Sequence, residues 1–181
     1  GIRNRAMVHL LWASGLRRHE LVGLTLDRVD LDERIVTVLG KGNKERRVPF
    51  DQECQESLRR WVEARAIFFS QTSPYFFLSA LTEGKMVPQT VGSILHEAAA
   101  RAGLRKAIWS HLFRHTRLTA LLDGGMYIQD VAEFAGHGDV NTTMGYFHQD
   151  PAKLRDRYDK AMAAEQPAPR TTPLPRRRTR R

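Results

Sequence analysis

Apolar residues recur at helical spacing along most of this chain, and near the start that pattern gives way to a strand-like one. Met7, Leu10, Leu11 and Trp12 mark a helical face between Arg5 and Ser14, and Gly15 ends it. A second short helix is expected over Arg17–Leu24, with Leu21 and Val22 inward. Then the character changes. Arg34-Ile35-Val36-Thr37-Val38-Leu39 is rich in β-branched residues, which suit a pleated backbone. Gly40-Lys41-Gly42-Asn43-Lys44 is turn chemistry, and Glu45 to Phe50 returns as a second strand. The expected class is therefore α+β: a mainly α-helical domain with a small antiparallel β-sheet near the N-terminus.

The remaining pattern is helical again. Asp51 is a plausible N-cap for a helix running to about Phe68. Gln71 to Gly84 reads as loop with a short apolar piece, Tyr75–Leu78. Pro88 suits the first turn of a helix running to Ala102, closed by Gly103. Ser110 is expected to cap the next, which ends at Gly124-Gly125. Ile128 to Ala135 forms another, stopped by Gly136, and Asn141 or Thr142 opens a short helix carrying Tyr146. Pro151 starts a last one with Leu154, Tyr158, Ala161 and Met162 on one face. Trp12, Trp61 and Trp109 are expected in the core, while Tyr75, Tyr127 and Tyr158 lack any special context. After Glu165 the text becomes QPAPRTTPLPRRRTRR, which cannot bury a core. The expected organisation is one domain over residues 1–165 and a disordered Pro/Arg-rich basic tail over 166–181.

Composition narrows the class. Hydrophobic residues make up 41% of the 181, enough for a globular core. No apolar run approaches the ~20 residues of a membrane helix, and Arg3 and Arg5 lead into a helical pattern rather than a signal peptide. Cys54 is the single cysteine, so a disulfide framework is ruled out and a cytoplasmic setting fits. The net charge of +9 favours a polyanionic partner. Six arginines and no acid follow Glu165, however, which leaves only +3 for the rest. The charge excess speaks mostly for the tail.

The chemistry concentrates between His111 and Tyr146. His111 and Arg114 stand one helical turn apart, Gly136-His137 follows, and Tyr146 comes nine positions after His137. Cations that hold an anion, followed by a phenol that can attack it, suggest chemistry on a phosphate. ASGLRRHELVGL, GKGNKERRVPF, HLFRHT and AGHGDVNTTMGYFH occur in that order at ordinary separations. Together they resemble the catalytic domain of the tyrosine recombinases, or phage-integrase family, and are similar in wording to its Xer-like members. The resemblance spans roughly Arg5 to Met162. Phe113, Arg117 and Phe134-Ala135 depart from the commoner residues, and they are packing changes beside the site.

The resemblance implies a role for each motif residue. Arg17 is the first catalytic arginine, Lys41 at the hairpin tip the proton donor to the departing 5′ oxygen, and His111 with Arg114 the His-x-x-Arg pair. His137 is a hydrogen-bond partner of the phosphoryl group, and Tyr146 is the nucleophile. Lys44, Arg46 and Arg47 are expected DNA contacts, with strand-edge protection the plainer role for the two arginines. Two guanidiniums can fork onto the non-bridging oxygens, and losing one such preorganised donor typically costs about 3 kcal/mol. Tyrosine, with an ordinary pKa near ~10, needs such help at neutral pH.

A 3′-phosphotyrosyl bond keeps the energy of the broken phosphodiester, so neither cofactor nor metal is expected. His111 and His115 have the i,i+4 spacing of a zinc pair, but no HExxH glutamate lies between them and Arg114 does. Glu20 either buffers Arg17 or is merely exposed. The expected partners are double-stranded DNA and further copies of the chain, assembled on DNA as a homo-oligomer, in the family a tetramer. Full family members carry an N-terminal core-binding domain. SGLR begins here at Ser14, so that domain is expected to be absent and DNA binding by this chain alone to be weak. The competing readings are relaxation of DNA by the same chemistry, as in a type IB topoisomerase, a non-cleaving DNA-binding module, and RNA binding driven by the tail.

Overall fold

A computed structural model describes residues 1–40, 45–69, 71–105, 108–137, 141–145 and 155. The chain divides into two units, residues 1–147 and 148–181. In the second, Arg155 is helical and exposed. The expected last helix and tail otherwise lie outside the described residues, as do Lys41, Lys44 and Tyr146.

The first unit is the expected α+β arrangement. Helices α1 (Ile2–Ser14) and α2 (Arg18–Val22) precede a short 3₁₀ turn (Leu26–Arg28) and strands β1 (Val29–Asp30), β2 (Ile35–Leu39) and β3 (Glu45–Pro49). Helices α3 (Gln52–Phe68), α4 (Pro88–Arg101), α5 (Ser110–Asp123), α6 (Ile128–Ala135) and α7 (Asn141–Met144) follow. The sheet is antiparallel in the order β1-β2-β3. Val36 pairs with Val48 and Val38 with Arg46, so all four point to one face. Strand β1 and the 3₁₀ turn escape sequence reading because two or three residues are too few to show a period.

Local chemistry sets the helix ends. The Asp51 carboxylate accepts from the Cys54 backbone N–H at 2.9 Å, the predicted cap of α3, worth roughly 1 kcal/mol. Gly15 and Gly136 close α1 and α6 with φ of +60° and +66°, a region where a side chain is strained. Ser110 does not cap α5: Trp109 occupies the N-cap and Ser110 is the buried first residue of the helix.

The core gathers Met7, Leu10 and Leu11 of α1, Val36 and Val48 of the sheet, Leu58 and Trp61 of α3, Val91 and Leu95 of α4, Leu118 of α5 and Phe134 of α6. Trp61 is buried as expected, and its indole N–H donates to Phe76 O at 3.0 Å. The other two tryptophans are not core residues. Trp12 is 45% exposed because the buried face of α1 runs through Met7, Leu10 and Leu11, and its ring meets Phe113 edge-on at 5.7 Å. Trp109 is 60% exposed because it precedes α5 rather than lying on its buried stripe.

Candidate active site

Helix α5 buries a stripe at four-residue spacing: Ser110, Arg114, Leu118 and Leu122. Arg114 thus occupies a core position, 5% exposed. It is tolerated there because its guanidinium meets acceptors left over at two helix ends. Nη1 donates to Gly15 O at 3.0 Å, and Nη2 donates to Ala135 O at 2.5 Å. These carbonyls close α1 and α6, where helices lack partners of their own. Arg114 is therefore held at the junction of three helices, and Nη2 also lies 3.1 Å from His137 Nε2.

Arg17 opens α2, and its backbone N–H donates to Glu20 Oε2 at 2.8 Å. Its half-exposed side chain leans on the same carboxylate, Nη1 to Oε1 at 3.2 Å. Glu20 is buried, which settles the choice left open by sequence: it holds Arg17. It also takes a two-pronged contact from Arg46, Nη1 to Oε1 and Nη2 to Oε2, both at 2.9 Å. Burial alone raises the Glu20 carboxyl. Hydrogen bonds from Arg46 and the Arg17 backbone, with both guanidinium charges, outweigh it and hold the group below its ordinary value.

This corrects the expectation that Arg46 contacts DNA. Arg46 is 8% exposed, and its Nε donates to Phe134 O at 3.1 Å, joining β3 to α6. The reason lies in strand alternation: Arg46 and Val48 face inward while Glu45 and Arg47 face out. Arg47 keeps the exposure that a DNA contact needs. Arg46 also packs against Gly136, where an added Cβ would lie only 2.8 Å from its Nη1 and 2.9 Å from its Cδ and Cζ. Glycine is thus required at position 136 both by its φ and by this neighbour.

His137 follows that glycine. Its Nδ1 is 2.8 Å from Thr143 Oγ1, and its Nε2 faces Arg114. Burial, then the positive charges of Arg114, Arg17 and Arg46, lowers its pKa from 6.5 to about 4, so the ring is neutral at pH 7. The structure therefore brings Arg17, Arg114 and His137 together around the Glu20–Arg46 pair. His111 sits one turn before Arg114 with an exposed side chain, and His115 is exposed one residue after it. Sequence reading missed Thr143, fully buried on α7, and the inward face of Arg46. The alternation Glu45-Arg46-Arg47-Val48 carried the signal for the latter, since Arg46 shares parity with Val48. Chemically, the cluster offers fixed cationic donors and a neutral imidazole, a set suited to an anionic oxygen.

The family model described as "Phage integrase family" matches residues 1–153. The chain is 35% identical over 162 residues to "Tyrosine recombinase XerC" of Mycobacterium sp. (strain KMS), covering 88% of this chain and 54% of that protein. It is 39% identical over 160 residues to "Tyrosine recombinase XerC" of Leptospira interrogans (serogroup Icterohaemorrhagiae serovar copenhageni, strain Fiocruz L1-130), covering 88% and 51%. Among solved structures, XerA recombinase is similar with a TM-score of 0.77 and 31% identity over 88% of this chain and 58% of that one. XerH site-specific recombinase, in a pre-cleavage complex with its difH substrate, shares the fold with a TM-score of 0.73 at 22% identity, over 92% of this chain and 48% of that one. The chain spans about half the length of the curated relatives it matches.

Proposed function

Since the chain belongs to the phage integrase family, we propose that it is the catalytic part of a site-specific DNA recombinase. It would break and rejoin strands by transesterification. The observation that supports this most is the burial of Arg114 against Gly15 O and Ala135 O, with His137 beside it. A cation fixed by backbone acceptors does not reorganise when charge develops on a phosphate, and such preorganisation is usually the largest catalytic term.

In the proposed reaction the Tyr146 phenolate oxygen attacks the scissile phosphorus and the bond to the 5′ oxygen breaks. The 5′ oxygen leaves with a proton from Lys41, and the product is a 3′-phosphotyrosyl bond. His111 assists removal of the phenol proton. Arg17 and Arg114 neutralise the non-bridging oxygens, with His137 as a further hydrogen-bond partner. A 5′-hydroxyl of a second strand then reverses the step. Lys44 and Arg47 would add backbone contacts to double-stranded DNA. Residues 1–165 form the proposed catalytic domain, and the basic 166–181 would add sequence-independent phosphate contacts. Copies would assemble on DNA as a homo-oligomer in the cytoplasm. Among the described residues no helix is long and apolar enough to cross a membrane.

The test is a covalent adduct. Labelled suicide duplexes, nicked and tiled across the DNA flanking the gene, are incubated with the chain and resolved on denaturing gels. A slow-migrating protein–DNA band that disappears in Tyr146→Phe is expected. Absence of the band on every duplex, or its survival in Tyr146→Phe, overturns the proposal.

A further inference from the structure

We propose that Thr143 is a positioning residue: together with Arg114 it sets which nitrogen of His137 bears the proton in the free protein, and its hydroxyl holds the ring and so ties the segment leading to Tyr146 to the Arg114 guanidinium. The inference rests on the DNA-cleaving reading of this site and deepens it.

The argument is one of donors and acceptors. A guanidinium only donates, so His137 Nε2, 3.1 Å from Arg114 Nη2, must present a lone pair there. In the neutral ring the proton then sits on Nδ1. Nδ1 is 2.8 Å from Thr143 Oγ1, which accepts it. Thr143 is 0% exposed, so its hydroxyl is packed in place beside this nitrogen. Burial together with the surrounding arginines keeps the ring neutral, consistent with that assignment.

A hydroxyl differs from a carbonyl or carboxylate in this position because it can donate as well as accept. When a phosphoryl oxygen takes its place beside Arg114, the useful form of His137 carries its proton on Nε2 and offers it to that oxygen. The Nδ1 proton passes to water, water supplies one to Nε2, and the ring stays neutral. The Thr143 hydroxyl turns to donate to Nδ1, so the ring keeps its position in both forms. Thr143 also stands three residues before Tyr146. A span of that length reaches at most about 11 Å, so holding Thr143 limits where the phenol can lie.

The test uses the full 181-residue chain with ¹⁵N-labelled histidine, the His137 signals being identified by their loss in His137→Asn. Two-bond ¹⁵N–¹H spectra at neutral pH without DNA are expected to show the Nδ1–H form in the native chain and in Thr143→Ser. Thr143→Val, isosteric but without a hydroxyl, should show mixed tautomers. Adduct formation on the suicide duplex should fall about tenfold in Thr143→Val, the worth of one hydrogen bond, and recover in Thr143→Ser. An Nε2–H ring in the native chain, or a Thr143→Val variant matching native in spectrum and rate, overturns the proposal. Should Thr143→Val not fold, the native and Thr143→Ser spectra decide. The expected tautomers with no adduct from any version would leave the positioning role standing and refute the cleavage reading.

Discussion

Two arginines are buried to nearly the same depth in different parts of the molecule. Arg65 of α3 is 2% exposed and Arg114 of α5 is 5% exposed. Arg65 closes the loop after its helix: Nη2 donates to Ser73 O at 2.7 Å and Tyr75 O at 3.2 Å, and Nη1 to the Gln71 side chain at 3.2 Å. Those contacts hold a stretch that is hydrogen-bonded in turn to the chain after α2, Leu26 N to Pro74 O and Phe76 N to Leu24 O. Arg114 also satisfies carbonyls, but from α1 and α6, and it faces an imidazole. Burial and backbone contacts alone therefore do not mark a functional arginine. What separates the two is the company: Arg114 shares its surroundings with His137 and, through that ring's electrostatics, with Arg17 and Arg46.

If the distinction is sound, Arg114→Lys has the largest effect, and on rate. Lysine keeps the charge but not the fork that meets Gly15 O and Ala135 O together. Adduct formation per folded molecule should fall by roughly 10²–10³, the loss typical of one removed preorganised donor. Single-turnover assays on the suicide duplex measure it, and a variant that keeps its native rate would erase the contrast. Arg65→Met should do the reverse. It leaves buried carbonyls without donors, at an estimated cost of about 2–4 kcal/mol in urea unfolding, while the rate per folded molecule stays native. A slowed Arg65→Met with native stability would show that α3 serves the site more directly than its contacts indicate.

The same pair shows what could be read from sequence. Helix periods placed α1 and α3 through α6, and the glycines at 15 and 136 marked ends that carry site carbonyls or lead into His137. The motif residues Arg17, Arg114 and His137 come together in the fold. Arg65, with no motif around it, offered nothing to recognise, because its role depends on where a loop of irregular backbone returns. Arg46 was misjudged for a related reason. Its parity with Val48 points inward, but a charged residue is expected outside, and the partner that reconciles the two, Glu20 brought in from α2, shows only in the fold. Thr143 likewise needs a partner six positions away across a helix junction. Periodicity reports which face is buried; it does not report which polar group waits there.

The smallest effect expected from the comparison is on the pH dependence of stability. The unfolded chain takes up a proton at His137 near pH 6.5, whereas the folded chain resists until about pH 4. Between those values the unfolded state binds more protons, so stability falls as pH falls. Glu20 adds to the loss lower down. Its folded pKa is held below the ordinary 4.5, so the stability it contributes is present above that value and disappears as the carboxylate protonates. The His137 part is modest because the ring is half-exposed and solvent screens the neighbouring charges. Arg65 has neutral oxygens as its hydrogen-bond partners, so Arg65→Met should lower the whole stability curve without changing its slope. His137→Asn should flatten the decline between pH 6.5 and about 4 and leave the steeper acid limb to Glu20. Urea titrations across that range measure both slopes. If His137→Asn declines as steeply as the native chain, or Arg65→Met alters the slope, the charge-coupled region is not where these contacts place it.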